Sequence, residues 1–83
     1  SINIKRGYLK GFEKNLINLY LNRIFSKEIE IGSFENMRNL KVLDLRTNFL
    51  KRIESKLFGD LLNLEELYLS SNEIHSIEIE TFK

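Results

Sequence analysis

Residues 40–58 read LKVLDLRTNFLKRIESKLF, and residues 64–82 read LEELYLSSNEIHSIEIETF. Aligned at a spacing of 24, Leu40, Leu43, Leu45, Asn48, Leu50, Ile53 and Phe58 coincide with Leu64, Leu67, Leu69, Asn72, Ile74, Ile77 and Phe82. Most residues between these positions differ. A chain that repeats its apolar side chains and one amide, and little else, is repeating a packing solution.

Within the first copy Leu43 and Leu45 alternate at period two, so they point to one side of a short strand while Val42, Asp44 and Arg46 point to the other. Asn48 follows, at a position the pattern places inside. A buried amide is tolerated only when its donors and acceptor are paired. A sharply turning chain leaves backbone groups that it can pair, within its own turn and in the turn of the neighbouring unit. Asn48 and Asn72 are therefore expected to form a ladder. The rest of each unit must return the chain to a point one strand spacing from its start, and Phe34, Phe58 and Phe82, each 24 apart, predict a phenylalanine column beneath the outer surface. A single unit cannot bury its apolar face alone, so successive units stack and share one core.

Upstream, a step of 24 from the same positions gives Leu16, Leu19, Leu21, Ile29 and Phe34, but the asparagine position holds Ile24 and the next leucine position holds Ser26. A competing register places Ile17, Leu19, Asn22 and Ile24 inside. It recovers an asparagine but needs a two-residue insertion and exposes Leu16 and Leu21. The first register is preferred because it buries more apolar side chains, and slips of register along a strand are costly. The expected division is an atypical first layer or degenerate repeat over 1–15, an irregular repeat over 16–39, a full repeat over 40–63 and a truncated one over 64–83.

At 83 residues, 42% hydrophobic and 30% charged, the chain has the composition of one small folded domain. It has no apolar run of the roughly 18 residues a membrane span needs, and direct membrane insertion is not expected. Cysteine is absent, which excludes a disulfide framework and a Cys-based metal site. Residues 1–52 hold eleven Lys and Arg against five Asp and Glu, and residues 53–83 hold two against seven, so a net +6 is followed by a net −5. This bipolar arrangement argues against a continuous phosphate-binding stripe and hence against nucleic acid as a partner.

The pattern Leu40-x-x-Leu43-x-Leu45-x-x-Asn48-x-Leu50, given twice, resembles the signature of leucine-rich repeats. Its 24-residue period with Ile53 and Phe58 is similar to the "typical" subclass found in animal extracellular receptors and matrix proteoglycans, including insect Toll and Toll-like receptors. The resemblance implies an α/β-type repeat solenoid: a right-handed superhelix with a short parallel sheet on its concave face and irregular or short helical return segments. The cysteine-rich caps usual in that family are missing at both ends. The chain is accordingly expected to be a piece of a longer solenoid, or to use its open edge near Phe82 for self-association.

In such proteins the sheet usually forms the ligand-binding face. The resemblance carries that role onto Asn18, Val42 and Glu66; onto Tyr20, Asp44 and Tyr68; onto Asn22, Arg46 and Ser70; and onto Arg23, Thr47 and Ser71 at the strand exits. Phe25 and Phe49, one unit apart, read either as apolar anchors beside the sheet or as ordinary packing against a loop. Catalysis is not expected and no cofactor is implied. His75, the single histidine, falls in a polar return segment. The i, i+2 carboxylates Glu28 and Glu30, and Glu78 and Glu80, alternate with isoleucines as a solvated outer face does.

The implied function is recognition of a protein, or a glycan, by an extracellular receptor or a secreted immune or matrix protein. An intracellular scaffold or regulatory subunit is the alternative, and a spacer that binds nothing is a third reading.

Overall fold

A computed structural model of the chain describes residues 3–74 and the backbone of residues 76–77. The elements in chain order are β1 (Asn18–Tyr20), β2 (Val42–Asp44), β3 (Arg52–Ile53), a 3-10 turn (Ser55–Phe58), β4 (Glu66–Tyr68) and β5 (Ser76–Ile77). β1, β2 and β4 form a three-stranded parallel sheet in that order, and β3 and β5 pair in parallel on the return side. Leu19 sits opposite Leu43, and Leu43 opposite Leu67, an offset of 24 at each step. This is the first of the two registers considered for the upstream unit. Accordingly Leu16 and Leu21 pack against the core, Asn22 is exposed, and Ile17 is 45% exposed.

The repeated apolar residues converge. Leu40, Leu43, Leu45, Leu50, Ile53 and Phe34 are all exposed by 1% or less, with Met37 among them. Full burial of each such side chain contributes about 1.5–3 kcal/mol. Phe34 and Phe58 stack with ring centroids 6.3 Å apart and planes 11° apart. Phe82, His75, Glu78 and Glu80 lie outside the described residues.

Asn48 pairs its whole amide. Its Oδ1 accepts from the N–H of Ile24 at 3.2 Å and of Ser26 at 3.0 Å. Its Nδ2 donates to the carbonyls of Leu21 and Leu45, both at 3.0 Å, and of Arg46 at 3.3 Å. Asn72 repeats the arrangement one unit on, accepting from Leu50 N–H at 3.0 Å and donating to the Leu45 and Leu69 carbonyls at 2.9 Å. Each asparagine thus ties its own turn to the turn before it.

The upstream departures from the repeat also have a physical account. Ser26, in a leucine position, is fully buried; its hydroxyl donates to the Glu28 carbonyl at 2.7 Å and accepts from Ile4 N–H at 3.1 Å. It supplies polar pairing to the layer that contains Ile4, which bridges Ile29 in parallel. Residues 6–15 between that layer and β1 are a run of turns with Gly7 and Gly11 at φ +90 and +94.

A second asparagine ladder runs along the turns that enter the sheet. Asn39 Nδ2 donates to the Lys14 carbonyl at 2.8 Å, and Asn63 Nδ2 to the Arg38 carbonyl at 2.6 Å. Asn36 N–H donates to the Asp60 carboxylate at 2.8 Å, again across adjacent units.

Candidate functional site

The side chains that leave the sheet on the side away from the core form a compact polar and aromatic face. Tyr20 is 61% exposed and Tyr68 is 37% exposed. Asn18, Asn22, Arg23, Arg46, Thr47, Glu66, Ser70 and Ser71 are exposed, and Val42 is half-buried. The parallel register aligns these residues: β1, β2 and β4 present Asn18, Val42 and Glu66 in one row and Tyr20, Asp44 and Tyr68 in the next.

Asp44 corrects the expectation of an exposed contact residue. It is 1% exposed, because the side chain of Arg46 lies over it. The carboxylate accepts from Arg46 Nε at 3.0 Å, from Arg46 Nη2 at 2.7 Å and from the Arg46 backbone N–H at 3.0 Å. The donors from Arg46 hold the Asp44 carboxyl below the usual carboxylate range, against the opposing effect of burial. The same pairing raises the Arg46 pKa, so the guanidinium stays charged. A two-pronged carboxylate contact removes much of the freedom of a long side chain.

Arg46 also lies on an aromatic face, its Cζ 4.8 Å from the centroid of the Tyr68 ring. Cation–π contact of this kind contributes about 0.5–1 kcal/mol at an exposed site. The Tyr68 hydroxyl donates to the Glu66 carboxylate, which raises the Tyr68 pKa and keeps the phenol protonated. The Arg46 guanidinium thus covers the buried Asp44 carboxylate and lies over the Tyr68 ring, with Glu66 holding the rim and Tyr20 standing alongside. The arrangement suits recognition of a partner by shape and hydrogen bonding, since its charged and aromatic groups are already held in place.

The turn that closes each strand is shared by three residues that nothing in the apolar pattern marks. Arg23, Thr47 and Ser71 have φ of 59, 58 and 59. The left-handed backbone at these positions reverses the chain just before the asparagine position, and it fixes where Arg23 and Thr47 leave the sheet. Their spacing of 24 was visible, but no glycine or asparagine announces the conformation.

Phe25 and Phe49 stand beside the sheet, 60% and 41% exposed. Their rings are stacked with centroids 6.0 Å apart. They pack on each other and remain largely open to solvent. Among the described residues no group of three or more His, Cys, Asp or Glu side chains is placed to hold a metal ion. No helix among them is long and apolar enough to cross a membrane.

A family model described as Leucine rich repeat matches residues 14–74 and, in a second placement, residues 44–83. No curated protein and no solved structure matches the chain.

Proposed function

The chain belongs to the leucine-rich repeat family, whose repeats generally mediate protein binding and are typically non-catalytic, and from that premise we propose that its sheet is the recognition face of an extracellular receptor or secreted immune or matrix protein. The single observation that carries this reading is the Asp44–Arg46–Tyr68 stack. A buried carboxylate is used to hold an exposed guanidinium in one orientation, a use of polar groups that serves a partner better than it serves the core. The 24-residue period and the phenylalanine spacing support assignment to the typical, extracellular subclass. In a longer array of such units the sheet would line the concave side of a right-handed superhelix. The partner is a protein, with a glycan as the less favoured ligand, because the tyrosines are joined by a fixed cation and a carboxylate rim.

The test is proximity labelling on the surface of the source cells, followed by affinity capture with the wild-type protein and with an Arg46→Glu variant. We expect labelling at the cell surface or in the secreted fraction, and a captured protein that is lost with Arg46→Glu and retained with Lys56→Glu on the return side. Exclusive recovery in the cytosol would move the protein to the intracellular scaffold class, and equal capture by both variants would remove the sheet from the interaction.

A further inference from the structure

Among the described residues the sheet is one of two surfaces that expose aromatic side chains in register. Ser26 and Leu50 are buried at 0% and 1% exposure, and the residues on either side of them, Phe25 and Lys27, Phe49 and Lys51, are all exposed. The two segments lie side by side, with the Phe49 N–H donating to the Ser26 carbonyl at 2.8 Å. The result is a two-by-two array on the flank of the repeat stack: a stacked pair of phenylalanines beside a pair of lysines. Lys27 and Lys51 line one groove, together with Ile31, which is 45% exposed. Neither ammonium has an ion-pair partner among the described residues.

Folding alone does not account for this array. Phe25 adopts φ 61, a left-handed backbone that is strained for a bulky side chain and that glycine or asparagine would take with less cost. The ring it carries stays 60% exposed and so returns little from burial. Strain and an exposed aromatic at one residue point to a binding role.

We propose that this flank docks an extended acidic peptide segment of a partner protein, with a carboxylate over Lys27 and Lys51 and an apolar side chain against Phe25 and Phe49. Charge defines the occupant. The position equivalent to Phe25 and Phe49 in the next unit is Glu73, which is exposed; Glu28 also lines the groove, as do Arg52 and Glu54, which pair with each other at 3.6 Å. A broad anionic surface such as a lipid headgroup layer meets Glu28 and Glu73 as well as the lysines and is repelled by them. A single peptide strand passes over the two lysines and stops short of Glu73. Side chains on one side of an extended strand lie two residues apart, the same sequence interval that separates Phe from Lys in each segment. The segment recognised therefore carries an Asp or Glu two residues from an aromatic or branched aliphatic residue. This surface is separate from the sheet, and the proposal stands independently of the function assigned to Arg46.

Peptides selected on the immobilised chain from a random phage-displayed library test it, with the affinity of one enriched peptide then measured by fluorescence anisotropy. Enriched sequences are expected to carry the acid and apolar pair at that spacing. Lys27→Glu/Lys51→Glu and Phe25→Gly should each weaken binding by about tenfold or more, while Arg38→Ala, at an exposed side chain on neither surface, leaves it unchanged. Phe25→Gly relieves the backbone strain, so its thermal midpoint should hold or rise as binding falls, a combination that a purely structural role for the ring does not produce. Enriched peptides without an acid, or affinity lost with Arg46→Ala and not with the flank variants, would overturn the proposal while leaving the sheet as a recognition face. Co-sedimentation with phosphatidylserine vesicles, or self-association in ultracentrifugation, that is abolished by the double charge reversal in the absence of acidic peptide binding would overturn it in favour of a lipid surface or a second copy.

Discussion

Replacing Asn48 by alanine tests the account of what joins the units. Three backbone groups lose the partner described above: the Ile24 and Ser26 N–H groups and the Leu21 carbonyl. The Leu45 carbonyl keeps Asn72, and the Arg46 carbonyl keeps the Arg23 N–H at 3.2 Å. An orphaned buried group costs about 1–3 kcal/mol. Ser26 is fully buried and Ile24 half-buried, so water reaches one site more easily than the other and the sum is about 3–5 kcal/mol. A chain of this length has a total stability of about 4–12 kcal/mol, so the variant sits near the edge of folding. Asn72→Ala should cost about half as much, since Asn72 is half-buried and the Leu45 carbonyl it shares keeps Asn48. Asn22→Ala, at an exposed side chain, should cost less than about 0.5 kcal/mol. The assay is urea unfolding followed by far-ultraviolet circular dichroism, with the slope checked for constancy. A loss below about 1 kcal/mol for Asn48→Ala, or a larger loss for Asn22→Ala, would refute both the ladder and the register.

Asp44 makes stability depend on acid pH. Its folded pKa is depressed, so its contribution is fully present above the unfolded value of about 3.9 and is lost as pH falls through the lower folded value; the gap in urea midpoint between wild type and Asp44→Asn should therefore close on acidification below about pH 4, and a gap that stays constant would contradict the pairing with Arg46. Thr47, β-branched at φ 58, should gain from Thr47→Asn, with a rise of about 0.5–1 kcal/mol or a few degrees in thermal midpoint, and a fall would show that the left-handed turn is not strained. Ser26→Leu restores the repeat pattern, yet it removes the hydroxyl bonds to Ile4 and Glu28 and forces a larger group into a filled site; a loss of about 1–3 kcal/mol is expected by calorimetry, whereas stabilisation would mean that the repeat consensus outweighs the local polar pairing.

The sheet strands, the core leucines, the Asn48 and Asn72 ladder and the offset of 24 between neighbours were legible because each rests on a short-range rule repeated in every unit. Period-two alternation turns the leucines inward, and a buried amide must find backbone partners wherever the chain turns. The ladder from Asn39 and Asn63 was equally readable, since Asn15, Asn39 and Asn63 recur at the same interval, but an exposed asparagine carries no burial signal to draw notice. The outward face was legible as a set of positions and not as a set of roles. Period two places Asp44 outside, and only the position of Arg46 across it, over Tyr68 from the neighbouring strand, converts it from a surface contact into a buried anchor.

Sequence by itself thus determined the repeat, its register and the side chains that close the core, because stacking identical units makes tertiary contacts a copy of local ones. Tertiary structure alone decided which charged and aromatic groups are held and which are free. That depends on distances between groups 22 to 27 residues apart, such as the ring of Tyr68 beneath Arg46 and the Ile4 N–H on the hydroxyl of Ser26. Residues that vary from unit to unit obey no periodic rule, and their partners are set only when the coils are laid against one another.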